Sequence, residues 1–134
     1  MSNRETALTN ILLTCILLPA AIASGCHREP PQPQGTLSAA DLVESPVYGQ
    51  EVKVYGQVSL LGELFCPCFE LTFGGKSIQV WYDLMVGEGD KQRPAVSMEG
   101  INNGDWVTVN GELQSIGDPP SPGNFWASSI EKAS

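Results

Sequence analysis

The chain has 134 residues, with Lys and Arg numbering 7 against 15 Asp and Glu, and a formal net charge of −8. That length allows one domain with one core. The acidic balance argues against a nucleic-acid or other polyanionic partner, since such binding draws most of its affinity from neutralising phosphates with Lys and Arg, and against adsorption to anionic lipid.

Residues 1–25 read as a signal peptide: Arg4 in a short polar start, the apolar run "ILLTCILLPAAIA" from Ile11 to Ala23, then Ser24 and Gly25. The run is shorter than the roughly 20 residues that span a bilayer, so removal is expected rather than insertion. "IASGC", ending at Cys26, resembles the lipobox of bacterial lipoproteins, with Ala23 where leucine is commonest. The resemblance implies that Cys26 is lipidated with diacyl and palmitate chains and becomes the mature N-terminus. Ordinary secretion with a free Cys26 is the alternative. His27 in place of Asp implies, in a Gram-negative cell, the periplasmic face of the outer membrane. Cleavage leaves the charge at −8, because Arg4 and Glu5 cancel, and it removes Cys15. With Cys26 in the anchor, only Cys66 and Cys68 remain in the domain.

Residues 26–35 form a Pro-rich tether, "HREPPQPQG" after the cysteine, expected to be an extended spacer. The domain then runs over 36–134. "TLSAADLVE" predicts a short helix with Ser38 as its cap, Asp41 three residues on and Pro46 as the stop. "EVKVYGQVSL" alternates, with Val52, Val54, Gly56, Val58 and Leu60 on the inner face and Lys53, Tyr55, Gln57 and Ser59 on the outer. "FELTF" and "SIQVWY" flank Gly74 and Gly75 as a two-residue hairpin. Counting back from that turn pairs Phe73 with Lys76, Leu71 with Ile78, Glu70 with Gln79, Phe69 with Val80 and Cys68 with Trp81. Phe69, Leu71, Phe73, Ile78, Val80 and Tyr82 then face inward. The stretch between Asp83 and Gly104 reads as loop. "DWVTVNGELQS" is a fourth strand, "IGDPPSPGN" a loop and "FWASSI" the last strand. Gly56 and Gly111 occupy equivalent places in V-x-V-x-G-x-[VL] repeats, where a strand bends to serve two sheets.

These elements predict an all-β, five-stranded OB-fold-like Greek-key barrel with a short N-terminal helix. "DLVESPVYGQEVKVYGQV" and "NNGDWVTVNGEL" resemble small extracytoplasmic OB-fold proteins grouped with the nucleic-acid-binding or anticodon-binding OB-fold superfamily, and "CPCFEL" fits that resemblance. The fold hosts many unrelated activities and does not name one.

The commonest ligand surface of such a barrel is the outside of its second and third strands. The register places Cys66, Cys68, Glu70, Gln79 and Trp81 there, with Trp106 outward on the fourth strand. A Cys66–Cys68 disulfide is the favoured state outside the cytoplasm, provided that Pro67 bulges the strand, because next-but-one neighbours in a regular strand stand too far apart. Structural zinc takes four Cys and His ligands, and the domain has no histidine. Soft Cu(I) on the two thiolates is the remaining metal reading. "GGKS" imitates the end of a phosphate-binding loop, but Glu70 stands where its first glycine belongs. Ser or Cys catalysis lacks a histidine base, and Glu70, Glu88, Asp90 and Asp105 show no carboxylate-pair spacing. The sequence therefore predicts a non-enzymatic, membrane-anchored binding module without cofactors, its partner an envelope protein or small ligand. A thiol-based metal or redox carrier and a single-strand nucleic acid or oligosaccharide binder are the alternatives.

Overall fold

The computed structural model describes residues 29–83 and 94–133. The expected signal peptide, Cys26 and the part of the expected loop at 84–93 lie outside those residues. A two-residue strand, β1 (Leu37–Ser38), leads directly into helix α1 (Ala39–Glu44). The helix starts where the sequence placed it. Ser38 Oγ accepts from the Asp41 N–H at 3.0 Å and Asp41 Oδ2 accepts from the Ser38 N–H at 3.1 Å, satisfying two helix-start donors at once. Ala39 and Leu42 drive into the core with no exposed surface, and Lys76 ties the helix to the hairpin through Glu44 at 2.7 Å.

The remaining strands are β2 (Glu51–Ser59), β3 (Cys68–Phe73), β4 (Lys76–Trp81), β5 (Trp106–Ile116) and β6 (Ser121–Lys132). They close a ring in the order β2–β3–β4–β6–β5, returning to β2, with β1 parallel alongside β2. The predicted hairpin register holds at every pair from Cys68–Trp81 to Phe73–Lys76. Gly74 (φ 58°) and Gly75 (φ 78°) supply the left-handed backbone that a two-residue turn needs. The chain "GGKS" is thus a hairpin tip.

The two bend glycines work by closeness rather than by dihedral freedom. β2 pairs with β5 from Glu51 to Gln57 and with β3 from Gln57 to Ser59, so its partner changes beside Gly56. A methyl group at Gly56 would sit 2.8 Å from Leu71 Cγ and 2.9 Å from the Thr72 carbonyl oxygen. At Gly111, next to a register shift between β5 and β6, it would collide with the Trp126 carbonyl oxygen. Inside the ring, Val54, Val58, Phe69, Leu71, Val80, Val107, Val109, Leu113 and Phe125 are all essentially inaccessible.

Four expectations change. Leu60 is exposed rather than inward, because β2 stops at Ser59 and Leu60 takes a left-handed φ of 59°. Phe73, placed inward by alternation, is half-buried and meets Tyr55 and Trp106 edge-on, at ring distances of 5.9 and 6.3 Å. The loop expected over "IGDPPSPGN" shrinks to a tip at 117–120, with Ser121 and Pro122 already paired to Ile116 and Ser115. Proline is accepted there because the ladder is irregular between Leu113 and Ser115. Finally, the Pro-rich segment does not stand off the barrel as a free spacer: the Tyr55 hydroxyl donates to the Pro30 carbonyl at 2.5 Å.

Candidate functional site

Alternation along β3 and β4 turns Cys68, Glu70, Thr72, Ser77, Gln79 and Trp81 away from the core. β6 runs parallel to β4 with Trp126 beside Trp81, and so brings Asn124 and Pro122 alongside Gln79 and Ser77. The result is a groove of about 420 Å³. Glu70, Gln79 and Ser77 form its floor, and Ile116, Pro122 and Asn124 from the β5–β6 hairpin form its far wall. Next to Gln79 lies the segment 60–67 joining β2 to β3, whose Cys66 sulfur is 3.9 Å from the Gln79 amide. Asn103 clamps it, accepting from the Leu61 N–H at 2.8 Å and donating to the Leu61 carbonyl at 3.1 Å.

Within that segment the Cys66 and Cys68 sulfurs are in bonding contact, with Cα atoms 5.2 Å apart. Residues i and i+2 of a regular strand stand about 6.6 Å apart, so the backbone is drawn in at Pro67, whose carbonyl accepts from the Tyr82 N–H at 3.0 Å. Cys68 is fully buried and Cys66 half-buried. The Gln79 amide points at the pair, 3.5 Å from Cys68 Sγ and 3.9 Å from Cys66 Sγ. The groove floor and the sulfur pair therefore share one side chain. Phe65, next in the chain to Cys66, is wholly exposed, and Ile116 across the groove is 58% exposed.

Of the residues singled out from the sequence, Cys66, Cys68, Glu70, Gln79 and Trp81 share this face. Trp81 is half-buried beside the groove, and its indole N–H, like that of Trp126, is buried without an acceptor among the described residues. Trp106 lies elsewhere. It stacks on Tyr55 at a ring distance of 5.2 Å, on the outside of the β2–β5 seam. Sequence reasoning missed Ser77, Ile116, Pro122 and Asn124. The last three belong to a stretch whose prolines and glycine read as a loop, and nothing local reveals its pairing.

Charge is distributed sparingly. Lys53, Lys76 and Lys132, the only cations among the described residues, pair with Glu131, Glu44 and Asp105 at 3.0, 2.7 and 3.4 Å. The Lys53 ammonium, by hydrogen bond and charge, together with the Thr108 hydroxyl, holds the Glu131 carboxyl below its ordinary value. Burial, and the Glu29 carboxylate nearby, push the Tyr55 phenol above its ordinary value. No group of three or more His, Cys, Asp or Glu side chains among the described residues is placed to hold a metal ion.

The ring order and the flanking loops are those of an OB-fold-like β-barrel. Two of the solved structures that share this architecture are the hypothetical protein YgiW and a lysozyme-binding OBody. The hypothetical protein YgiW from E. coli superposes with a TM-score of 0.51 at 15% identity, over 75% of this chain and 94% of that one. The OBody AM3L09, solved bound to hen egg-white lysozyme, superposes with a TM-score of 0.50 at 18% identity, over 75% of this chain and 96% of that one. No family model and no curated protein matches the sequence.

Proposed function

We propose that the protein is a lipid-anchored, extracytoplasmic, non-enzymatic binding module that docks a protein partner on the outer face of β3, β4 and β6. The observation that carries this reading is a groove of mixed polar and apolar lining, floored by Glu70, Ser77 and Gln79 and walled by the exposed Ile116, with the exposed Phe65 next in the chain to Cys66, whose sulfur the Gln79 amide approaches. Protein interfaces of modest size combine a few apolar anchors with hydrogen-bonding groups around them, and aromatic residues dominate their energetics. The OBody that resembles this barrel is itself bound to a protein, lysozyme. The pairing of all described lysines, together with Glu70 in the groove, weighs against an anionic ligand. The Cys66–Cys68 pair, as a disulfide, stiffens the loop that presents Phe65. Lipidation at Cys26 would hold the module at the membrane, in a Gram-negative cell at the periplasmic face of the outer membrane.

The test is a photo-crosslinking residue placed at Ser77 in the full chain in its native envelope. One discrete adduct is expected, weakened by Phe65→Ala and by Glu70→Lys and not formed from a crosslinker at Ser129, which lies on β6 beyond its pairing with β4 and accepts from Asn110 of β5. Equal yields from both positions, or yields indifferent to Phe65 and Glu70, would remove the groove as the docking face.

A further inference from the structure

Tyr55 and Thr108 are cross-strand partners on the outside of the β2–β5 seam, yet they are 0% and 3% exposed. Side chains on the outer wall of a small barrel are wet unless something lies over them. Trp106 covers part of Tyr55 by stacking, and Phe73 meets the ring edge-on. The Pro-rich segment supplies further cover. Pro30 accepts from the Tyr55 hydroxyl, and Pro31, Gln32 and Pro33 form one wall of a hollow of about 390 Å³ whose other wall includes Lys53, Thr108 and Glu131. Two bonds pin the segment's end, from Thr36 Oγ to the Pro33 carbonyl at 2.6 Å and from Gln32 Nε2 to the Thr36 carbonyl at 3.0 Å. A proline-rich strip laid against an aromatic side chain, with a carbonyl taken by a side-chain donor as Tyr55 takes Pro30, is a general mode of peptide recognition, favoured because so little chain entropy is lost.

We infer that residues 30–33 are a clasp that fixes which way the barrel faces, turning the β3–β4–β6 groove away from the membrane that carries the lipid. This rests on the anchor reading proposed above. A free tether from Cys26 to Gly35 would reach roughly 30 Å in an extended polyproline form, and the barrel would tumble. With Pro30 seated on Tyr55, only the links from Cys26 to Pro30 remain, at most about 14 Å of chain. The leash therefore leaves from the β2–β5 side. Around the ring, β4 is the strand that pairs with neither β2 nor β5. It lies diametrically across from the clasp, and it carries Ser77 and Gln79. A short leash on one side thus presents the groove on the other, toward a protein that approaches from the aqueous space and not one lying in the plane of the anchoring bilayer.

The experiment uses the full lipidated chain in vesicles bearing a quencher on the lipid headgroups, with a fluorophore on Ser77→Cys or, separately, on Ser129→Cys. Quenching is expected to be several-fold stronger at position 129. Replacing Pro30, Pro31 and Pro33 together by glycine, which changes no residue of the barrel strands, is expected to bring the two positions together and, by loosening the cover on Tyr55, to shift the emission of Trp106 stacked on it toward that of a solvated indole. Equal quenching in the parent chain, or a ratio unmoved by the glycine tether, would overturn the clasp while leaving the anchor intact. Flotation of the parent chain with vesicles reads the anchor separately: a chain that does not float, with or without Cys26→Ser, sinks the anchor reading and the orientation with it.

Discussion

Among the described glycines, Gly111 has the least room for a side chain. A side chain there meets the Trp126 backbone, which is locked into β6 and cannot yield as a flexible side chain would. Gly111→Ala is expected to cost about 3 kcal/mol, the upper range of overpacking effects, read from urea unfolding, and a loss below a few tenths would refute the close approach. At the surface, Glu131 has a lowered folded-state pKa because of Lys53 and Thr108. A lowered carboxylate contributes stability that is present above the unfolded value and lost as pH falls through the folded one. Lys53→Met is therefore expected to move the Glu131 titration back up toward 4.5 in a carboxyl-resolved NMR experiment and to flatten the acid limb of the stability profile. For Tyr55 the sign is opposite. Its raised pKa means that the folded state favours the neutral phenol, so the contribution holds below the unfolded value of 10.0 and is lost as pH rises through the folded one. Ionisation also removes the hydrogen bond to Pro30. The phenolate absorbance of Tyr55 and the emission of Trp106 are expected to change together in alkali, and independent transitions would separate the clasp from the aromatic stack.

At the scale of elements, the helix start and the Cys-Pro-Cys segment make contrasting demands. Ser38→Ala removes the arm that accepts from the Asp41 N–H while leaving the backbone arm to Asp41 Oδ2, and is expected to cost about 1 kcal/mol, with the loss recovered by Ser38→Asp. The sulfur pair closes a loop across a sequence separation of 2. The loop-entropy relation then gives about 1.6 kcal/mol for its contribution, roughly half that of a fifteen-residue loop. Reduction is expected to leave the barrel folded and to raise hydrogen exchange in 60–67, with a thiol count of two measuring completeness. Global unfolding on reduction would show that the pair carries the barrel and not merely the loop. The hairpin β3–β4 was readable because turn chemistry and alternation fix register together: once Gly74 and Gly75 take positive φ, every cross-strand pair follows by counting. The loop between β5 and β6 reads as longer than it is because its prolines and glycine look like a loop until a partner strand tolerates them. Ser115 and Ile116 are that partner, and they become visible only when β5 has been folded back.

At the scale of the whole molecule, the closed ring assigns each side of the barrel a task. One seam, β2–β5, is covered by the chain's own N-terminal segment, and the opposite strand carries the groove. If Cys26 bears the anchor, Cys26→Ser is expected to release the protein from membranes without altering its unfolding curve, and unchanged retention would count against lipidation. The sequence by itself determined the strand periodicity, the capped helix, the hairpin register, the two bend glycines and the face shared by Cys68, Glu70, Gln79 and Trp81, because each depends on local stereochemistry or on the two-residue repeat of a strand. Only the tertiary structure decided that Trp106 stacks on Tyr55 and does not line the groove, that Asn124 and Ile116 do line it, and that the proline-rich segment lies against Tyr55. Those outcomes depend on which distant surfaces meet when the ring closes, and no pattern within a few residues of Trp106, Asn124 or Pro30 encodes the identity of the surface that it will touch.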